Sequence, residues 1–268
     1  MGPSDSYSHV VRGWGLSLGE PFEGGVASVL VAPAMRGGEE TVLKIQEPHR
    51  ESEHEAAALE LWDGDGAVRL LDHDPGEHAL LIERCVPGTP LSEAGAETAL
   101  NVFVELLPRL WKSAGAPFRP LAEEAAWWLE GLEASWERFG RPFERSLLDA
   151  GLDALRELAP TQGQQVLLHQ DLHGDNVLAA QREPWLAIDP KPLAGEREFG
   201  LAPIVRSREL GHSRRDVLHR LDRLSSELGL DRERARGWAI GQTLAWTFNG
   251  RVHETHVETA RWLVEAGS

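Results

Sequence analysis

The sequence predicts an α+β chain in two parts, a small antiparallel sheet with one helix in residues 1–85 and a larger, mainly helical part in residues 86–268. Three observations carry this. Residues 26–83 hold short apolar runs rich in strand formers and separated by glycine-bearing turns. Residues 92–158 and 213–266 carry apolar residues at helical spacing. Between those helical blocks, two apolar runs, Val166-Leu167-Leu168 and Trp185-Leu186-Ala187-Ile188, bracket a polar loop.

In chain order, Gly19 to Gly25 forms a glycine-bearing turn that runs into a strand at 26–31. Such a turn lets backbone N–H groups, here around Gly24, Gly25 and Ser28, approach phosphates, although a hairpin needs no ligand. Thr41 to Ile45 is the next strand, with Lys44 set among apolar residues. On the pleat, Val42, Lys44 and Gln46 share one face, so Lys44 faces whatever the glycine turn covers. Residues 51–62 read as a helix that carries Glu55 toward that strand, where it can pair with Lys44; Glu51, Glu53 and Glu60 are rivals. Strands at 67–71 and 79–83 follow. Val86-Pro87-Gly88-Thr89-Pro90 is a turn signal that places the boundary near residue 86. Backbone groups from Ile82 through Glu83 to Cys85 are then placed to hydrogen-bond a nucleotide base.

Helices are expected at about 92–113, 120–139 and 142–158, with Trp111, Trp127, Trp128 and Trp136 read as core. After the polar loop, helices at about 213–227, 232–248 and 253–266 close the chain. His253-Glu254-Thr255-His256 reads as a solvated face of the last one.

The polar loop carries the chemistry. His169-Gln170-Asp171 is followed by Asn176, and the second apolar run delivers Asp189. The pattern H-x-D-x-x-x-x-N with a later aspartate is that of phosphoryl transfer, which asks the protein to hold a hydroxyl in line and to neutralise phosphate charge. Asp171 accepts the hydroxyl's proton. Asn176 and Asp189 offer hard oxygen ligands for magnesium. His169 and His173 are four apart, but a zinc site of that spacing needs a helix beneath it, and Gly174-Asp175-Asn176 is turn chemistry.

Composition bounds the partners. At 268 residues, 41% hydrophobic and 26% charged, the chain is an ordinary globular protein. A net charge of −16 argues against nucleic acid and suits a cationic small molecule. No run reaches the length of a membrane span and the N-terminus reads as no leader, so a cytoplasmic protein is expected, as a monomer or dimer. The single cysteine, Cys85, fits a reducing compartment and reads first as a small buried hydrophobe. Lys44, Lys112 and Lys191 are the only lysines, which draws attention to their positions.

The set Leu43-Lys44, His54-Glu55-Ala56, Leu81-Ile82-Glu83-Arg84, LLHQDLHGDNVL at 167–178, AIDPKP at 187–192 and GEREFGLAPIVR at 195–206 resembles the aminoglycoside phosphotransferases, and within them the streptomycin and hydroxyurea branch. That resemblance implies a protein-kinase-like two-lobe fold, ATP or GTP with magnesium, and an acceptor held by the helical part. It implies Asp171 as the catalytic aspartate, Asn176 and Asp189 as metal ligands, and Lys44 with Glu55 as the phosphate clamp. Lys191 is implied to neutralise phosphate. Separately, the acidic balance favours a cationic acceptor, and Glu196 and Glu198, just beyond the catalytic segment, are candidates to contact it, as are acidic residues near Glu130, because carboxylates pair with ammonium and guanidinium groups. Gln170 replaces the usual glycine of His-Gly-Asp, a change expected to alter loop packing alone. Gly200 stands where related kinases often carry an aspartate that braces the catalytic loop, so another brace is required. The acceptor is read as an aminocyclitol such as streptomycin, against hydroxyurea, a peptide antibiotic, a metabolic sugar or an amino alcohol. A nucleotide-binding module without catalysis is the reading of another class.

Overall fold

A computed structural model describes residues 7–22 and 28–267, so Gly24 and Gly25 lie outside the described residues. The described chain packs as two units, one of residues 1–89 with 178–189 and the other of residues 90–177 with 190–268. The sequence suggested a single break near residue 86. It gave no sign that residues 178–189 return to the first unit.

In the first unit, α1 (Ser8–Gly13) leads to β1 (Ser17–Leu18), β2 (Ser28–Arg36), β3 (Glu39–Gln46), α2 (Glu55–Trp62), β4 (Leu70–Asp74) and β5 (Ala79–Glu83). The strands form one antiparallel sheet in the order β1-β2-β3-β5-β4. Alternation along β3 divides its side chains. Leu43 and Ile45 join Val10, Leu16, Leu30 and Leu81 in a core cluster, whereas Lys44 and Gln46 reach Glu55 on α2. The helix begins at Glu55, four residues later than its apolar spacing suggested.

Residues 178–189 belong here because Val68 donates to the Ala187 carbonyl and Ala187 to the Gly66 carbonyl, at 3.0 and 2.9 Å. Arg182 adds bonds to the carbonyls of Gly64 and Ala67 at 2.8 and 3.0 Å. A ribbon of β8 (Val177–Ala179) and β9 (Trp185–Ala187) thereby delivers Asp189.

The second unit holds α3 (Ala96–Leu110), β6 (Arg119–Pro120), α4 (Leu121–Arg138), α5 (Arg145–Leu158), β7 (Val166–Leu168), β10 (Leu193–Gly195), α6 (Ala202–Arg206), α7 (Arg214–Glu227), α8 (Arg232–Ala245) and α9 (Glu254–Glu265). The expected helices are present. The apolar run Val166–Leu168 is a buried strand, as its pattern suggested, and belongs to a short sheet β6-β10-β7 in which β10 runs parallel to β6; β6 and β10, of two and three residues, went unseen. Its core joins Leu121, Trp128, Leu155, Leu168, Phe199 and Trp238. Phe199 stacks on Trp128 and meets Trp238 edge-on, at centroid distances of 6.0 and 5.5 Å. α5 and α8 pack closely because Gly151 and Gly241 stand at their crossing, where an added Cβ would come within 2.5 to 2.6 Å of Leu244 and Leu155. Trp128 and Trp136 are core as expected, but Trp127 is 53% exposed. Among the described residues no helix is long and apolar enough to cross a membrane.

Candidate active site

The first unit assembles a buried clamp. Lys44 Nζ lies 2.8 Å from both carboxylate oxygens of Glu55, with the two side chains 6% and 2% exposed. Gln46 also donates to Glu55, and Lys44 donates to Asp189 Oδ1. Of the four glutamates on or near that helix, Glu55 is thus the partner. Burial by itself would lower the Lys44 pKa; the Glu55 and Asp189 carboxylates outweigh it and raise the ammonium above its ordinary value. Burial pushes the Glu55 carboxyl up, against the pull of Lys44. Asp189 takes a left-handed backbone, φ +56°, a conformation that aspartate tolerates better than most residues, and its carboxylate is about half exposed.

Further along the sheet, the Glu83 carboxylate takes a two-point bond from Arg182 at 2.8 and 2.9 Å and another from the Arg69 N–H at 3.0 Å. That carboxylate is structural, so a nucleotide contact there falls to backbone groups. The Cys85 thiol is pushed up to about 12, first by burial and then by the Glu83 charge. Ser28 opens β2.

The second unit presents the loop from His169 to Asn176 at the end of β7, tied down at almost every residue. The His169 carbonyl accepts from the Lys191 N–H at 2.9 Å. The Gln170 carbonyl accepts from Gln242 Nε2 at 2.9 Å. The Asp171 carbonyl accepts from Asn176 Nδ2 at 2.9 Å, which fixes that amide with its oxygen turned away and suited to a cation. Gly174 N–H donates to Glu209 at 3.0 Å. Glycine fits closely there: a Cβ would sit 3.0 Å from the Ser92 backbone, so a larger residue would need that segment to shift.

Gln170 is more than a packing change. It has φ +64°, where glycine is unstrained and other residues cost about 1–2 kcal/mol, and it is buried. The bracing problem posed by Gly200 is also resolved. Trp111 fills that place, its Nε1 3.2 Å from where a Gly200 Cβ would stand, and the loop is held instead by Glu209 and Gln242. Gln242 was detectable as a polar residue on the buried stripe of α8; Glu209, in an exposed turn, gave no signal.

Asp171 is 14% exposed. Its Oδ2 accepts from Lys191 Nζ at 2.8 Å, while Arg206 Nη2 and His173 Nε2 stand 3.8 and 4.0 Å from Oδ1. Lys191 therefore lies directly on the Asp171 carboxylate. His173 also approaches Glu209 at 3.4 Å. Burial would lower its pKa, but Glu209, Asp171 and Asp175 together raise it, and the Glu209 carboxyl falls to about 2 as the imidazolium and backbone donors outweigh its burial. His173, Asp175 and Glu209, rather than His169 and His173, bring their ligand atoms together.

Glu196 does not serve an acceptor. It is 3% exposed and accepts from Arg234, the Trp238 indole and the Gly163 N–H, which satisfy the buried carboxylate. Glu198 lies half-buried on the turn Arg197–Leu201, where its charge acts on Arg234. The closing histidines are no solvated face. His256 Nδ1 contacts the Trp246 carbonyl at 3.1 Å, and its pKa is lowered to about 3, by burial first and then by the Arg206 charge.

The family model for aminoglycoside/hydroxyurea antibiotic resistance kinases matches residues 14–253. The chain is 43% identical over 236 residues to a hydroxyurea phosphotransferase of Kitasatospora aureofaciens, covering 86% of this chain and 68% of the relative. It is 39% identical over 264 residues to a streptomycin 6-kinase of Streptomyces glaucescens, covering 95% and 81%. Choline kinase LicA from Streptococcus pneumoniae superposes with a TM-score of 0.68 at 15% identity over 99% of both chains. Fold and family thus agree with the phosphoryl-transfer pattern around Asp171. The chain belongs to the aminoglycoside/hydroxyurea antibiotic resistance kinases and is a phosphotransferase that acts on small-molecule hydroxyl groups.

Proposed function

We propose that this protein transfers the γ-phosphoryl group of ATP to a hydroxyl of a streptomycin-type aminocyclitol, with magnesium. The observation that carries the reading is Asp171, set at the end of a buried strand with Oδ2 engaged by Lys191 and Oδ1 beyond hydrogen-bond distance of both Arg206 and His173. Oδ1 accepts the acceptor's O–H. As the acceptor oxygen bonds to phosphorus, its proton passes to Asp171 and the bond to the leaving ADP oxygen breaks.

Magnesium is assigned to the Asp189 carboxylate and the Asn176 amide oxygen, both of the hard-oxygen type that it prefers, and when bound it neutralises phosphate charge. Lys44, oriented by Glu55, holds phosphate oxygens. The first unit takes the nucleotide and the second the acceptor. A solved structure of the same fold, APH(4)-Ia, holds ADP and hygromycin B in one ternary complex, so the fold can carry a nucleotide and an aminoglycoside together.

Hydroxyurea is the second reading, favoured by the 43% identity to a hydroxyurea phosphotransferase. Nucleotide consumption by the purified protein with magnesium, against streptomycin, other aminoglycosides, hydroxyurea and simple sugars, tests both, with Asp189→Ala as control. Acceptor-dependent turnover that disappears in the control is expected. Turnover retained in Asp189→Ala would remove the metal assignment, and a preference for plain sugars would remove the acceptor.

A further inference from the structure

Arg206 closes α6 with its side chain only 8% exposed, and the carboxylate that it approaches is that of Asp171, at 3.8 Å. Its guanidinium carbon lies 4.5 Å from the Trp246 ring centroid, and Lys191 Nζ lies 4.8 Å from the same ring. One indole therefore supports two cations, each directed at a different oxygen of the base.

The backbone that carries Arg206 is fastened. Arg220, 1% exposed, gives its guanidinium to main-chain carbonyls: Val205 at 2.9 and 3.2 Å, Leu210 at 3.0 Å and Gly211 at 2.8 Å. Trp246 is fixed too, its N–H bonded to the Gln242 carbonyl at 2.9 Å and its carbonyl contacted by His256. Gln242 in turn donates to the carbonyl of Gln170, one residue before the base. Platform and loop are thus parts of one hydrogen-bonded frame.

Removing a guanidinium from water costs several kcal/mol, and an apolar side chain of similar size against Trp246 would avoid that cost. A charge kept in such a place calls for a use. Because Arg206 stands beyond hydrogen-bond distance of Oδ1, it leaves that oxygen's lone pairs to the acceptor while its field acts on the carboxylate.

We propose that Arg206 is a positioning residue for the phosphoryl-transfer reaction: carried on Trp246 and anchored through the Arg220 frame, it orients Asp171 from the Oδ1 side as Lys191 does from the Oδ2 side. This rests on the reading of Asp171 as the base, and the test separates the two.

Hydrogen exchange of the whole protein, followed by mass spectrometry, needs no acceptor. In Arg206→Ala, peptides covering 169–176 should exchange about tenfold faster while those of α4 and α5 keep their rates. An acceptor that the wild type consumes then adds the kinetic arm. Turnover should fall about tenfold or more with the KM for ATP within about twofold. Guanidinium chloride at about 50 mM, too dilute to unfold the chain, should restore part of it, which a purely structural role would not allow. Trp246→Leu, which keeps Arg206 and removes its platform, should accelerate exchange in the same peptides. Unchanged exchange at 169–176 in both variants overturns the proposal, as does a kcat loss in Arg206→Ala without rescue. A wild type idle toward every acceptor defeats the aminocyclitol reading alone, and the exchange data still decide the role of Arg206.

Discussion

If magnesium is held by Asp189 as proposed, replacing Glu55 by Gln should weaken that hold as well as the protein's stability. Lys44 Nζ is 2.8 Å from each Glu55 oxygen in a nearly dry environment, and it also donates to Asp189. At an effective dielectric constant of about 20, a unit charge pair at 2.8 Å is worth about 6 kcal/mol before desolvation is counted. Breaking a buried pair by removing one partner costs about 3–5 kcal/mol in general. Asp189 remains beside the ammonium, so a loss of about 2–3 kcal/mol is expected, or roughly 5–10 °C in Tm for a chain of this size.

The same substitution leaves Asp189 as the ammonium's one charged partner from this pair of carboxylates, and the cation must then compete for it. With Asp189 half exposed, solvent reduces that competition to about 1–2 kcal/mol, or roughly 5- to 30-fold in the magnesium concentration that gives half-maximal turnover. Magnesium titration of nucleotide consumption, run beside thermal unfolding, measures both. A Glu55→Gln protein with wild-type Tm and an unmoved magnesium midpoint would refute the clamp.

Asp171→Asn should lower turnover by about a hundredfold or more while nucleotide affinity stays within about twofold; unchanged turnover would end its role as base. Glu209→Gln should show a pH signature in urea unfolding. The Glu209 carboxyl is lowered from 4.5 to about 2, so its contribution is complete above 4.5 and lost as pH falls toward 2. The raised His173 imidazole has the opposite sign, contributing fully below 6.5 and losing that contribution as pH rises through its folded value. The shift on Glu209 caps the stabilisation at about 3 kcal/mol. Solvent access to the 24% of its side chain that is exposed reduces this to about 1–2 kcal/mol. The gap between wild type and Glu209→Gln should peak between pH 4.5 and 6.5, and a gap independent of pH would discard the Glu209–His173 pairing. Cys85 is half-buried with a thiol near 12, so it should react with iodoacetamide at pH 8 about a thousandfold more slowly than an exposed cysteine, and rapid alkylation of the native protein would show that the thiol is not raised.

The features legible in the sequence were local ones. Lys44 could be placed because a lone cation between apolar residues on a pleat must face something specific, and Glu55 followed from helical spacing. The loop from His169 to Asn176 was readable because phosphoryl transfer demands those groups at that spacing. What escaped detection was set by contacts distant in sequence. Glu196 looked like a free acid beside the site, yet Arg234 and Trp238, about forty residues on, turn it into a buried support. Glu209 reaches the loop from 35 residues beyond Gly174, out of a turn with no periodicity. Two of the missed residues did leave a trace. Arg220 interrupts the apolar stripe Val217, Leu221, Leu224 of α7, and Arg206 ends the apolar run from Leu201, so each charge was already headed for the interior.

That trace bears on the acceptor. The chain's net charge of −16 suggests a cationic ligand, but charges farther from Asp171 than a Debye length of about 8 Å are screened at physiological salt. Directly against the carboxylate the neighbours are cations, with the Asp175 and Glu209 carboxylates one step away beside His173. Lys191 and Arg206 stand 2.8 and 3.8 Å from the carboxylate oxygens, and at an effective dielectric constant of about 20 a cation at 3.8 Å acts on a unit charge with about 4 kcal/mol. A second cation pressed against Asp171 would be repelled by both. If the acceptor is an aminocyclitol, it is expected to present a neutral hydroxyl-bearing edge to Oδ1. Hydroxyurea, uncharged, meets no such restriction. On the proposed reading of Asp171 as the base, the global charge can draw a cationic antibiotic toward the protein, while Lys191 and Arg206 bear on which of its hydroxyls can reach that carboxylate.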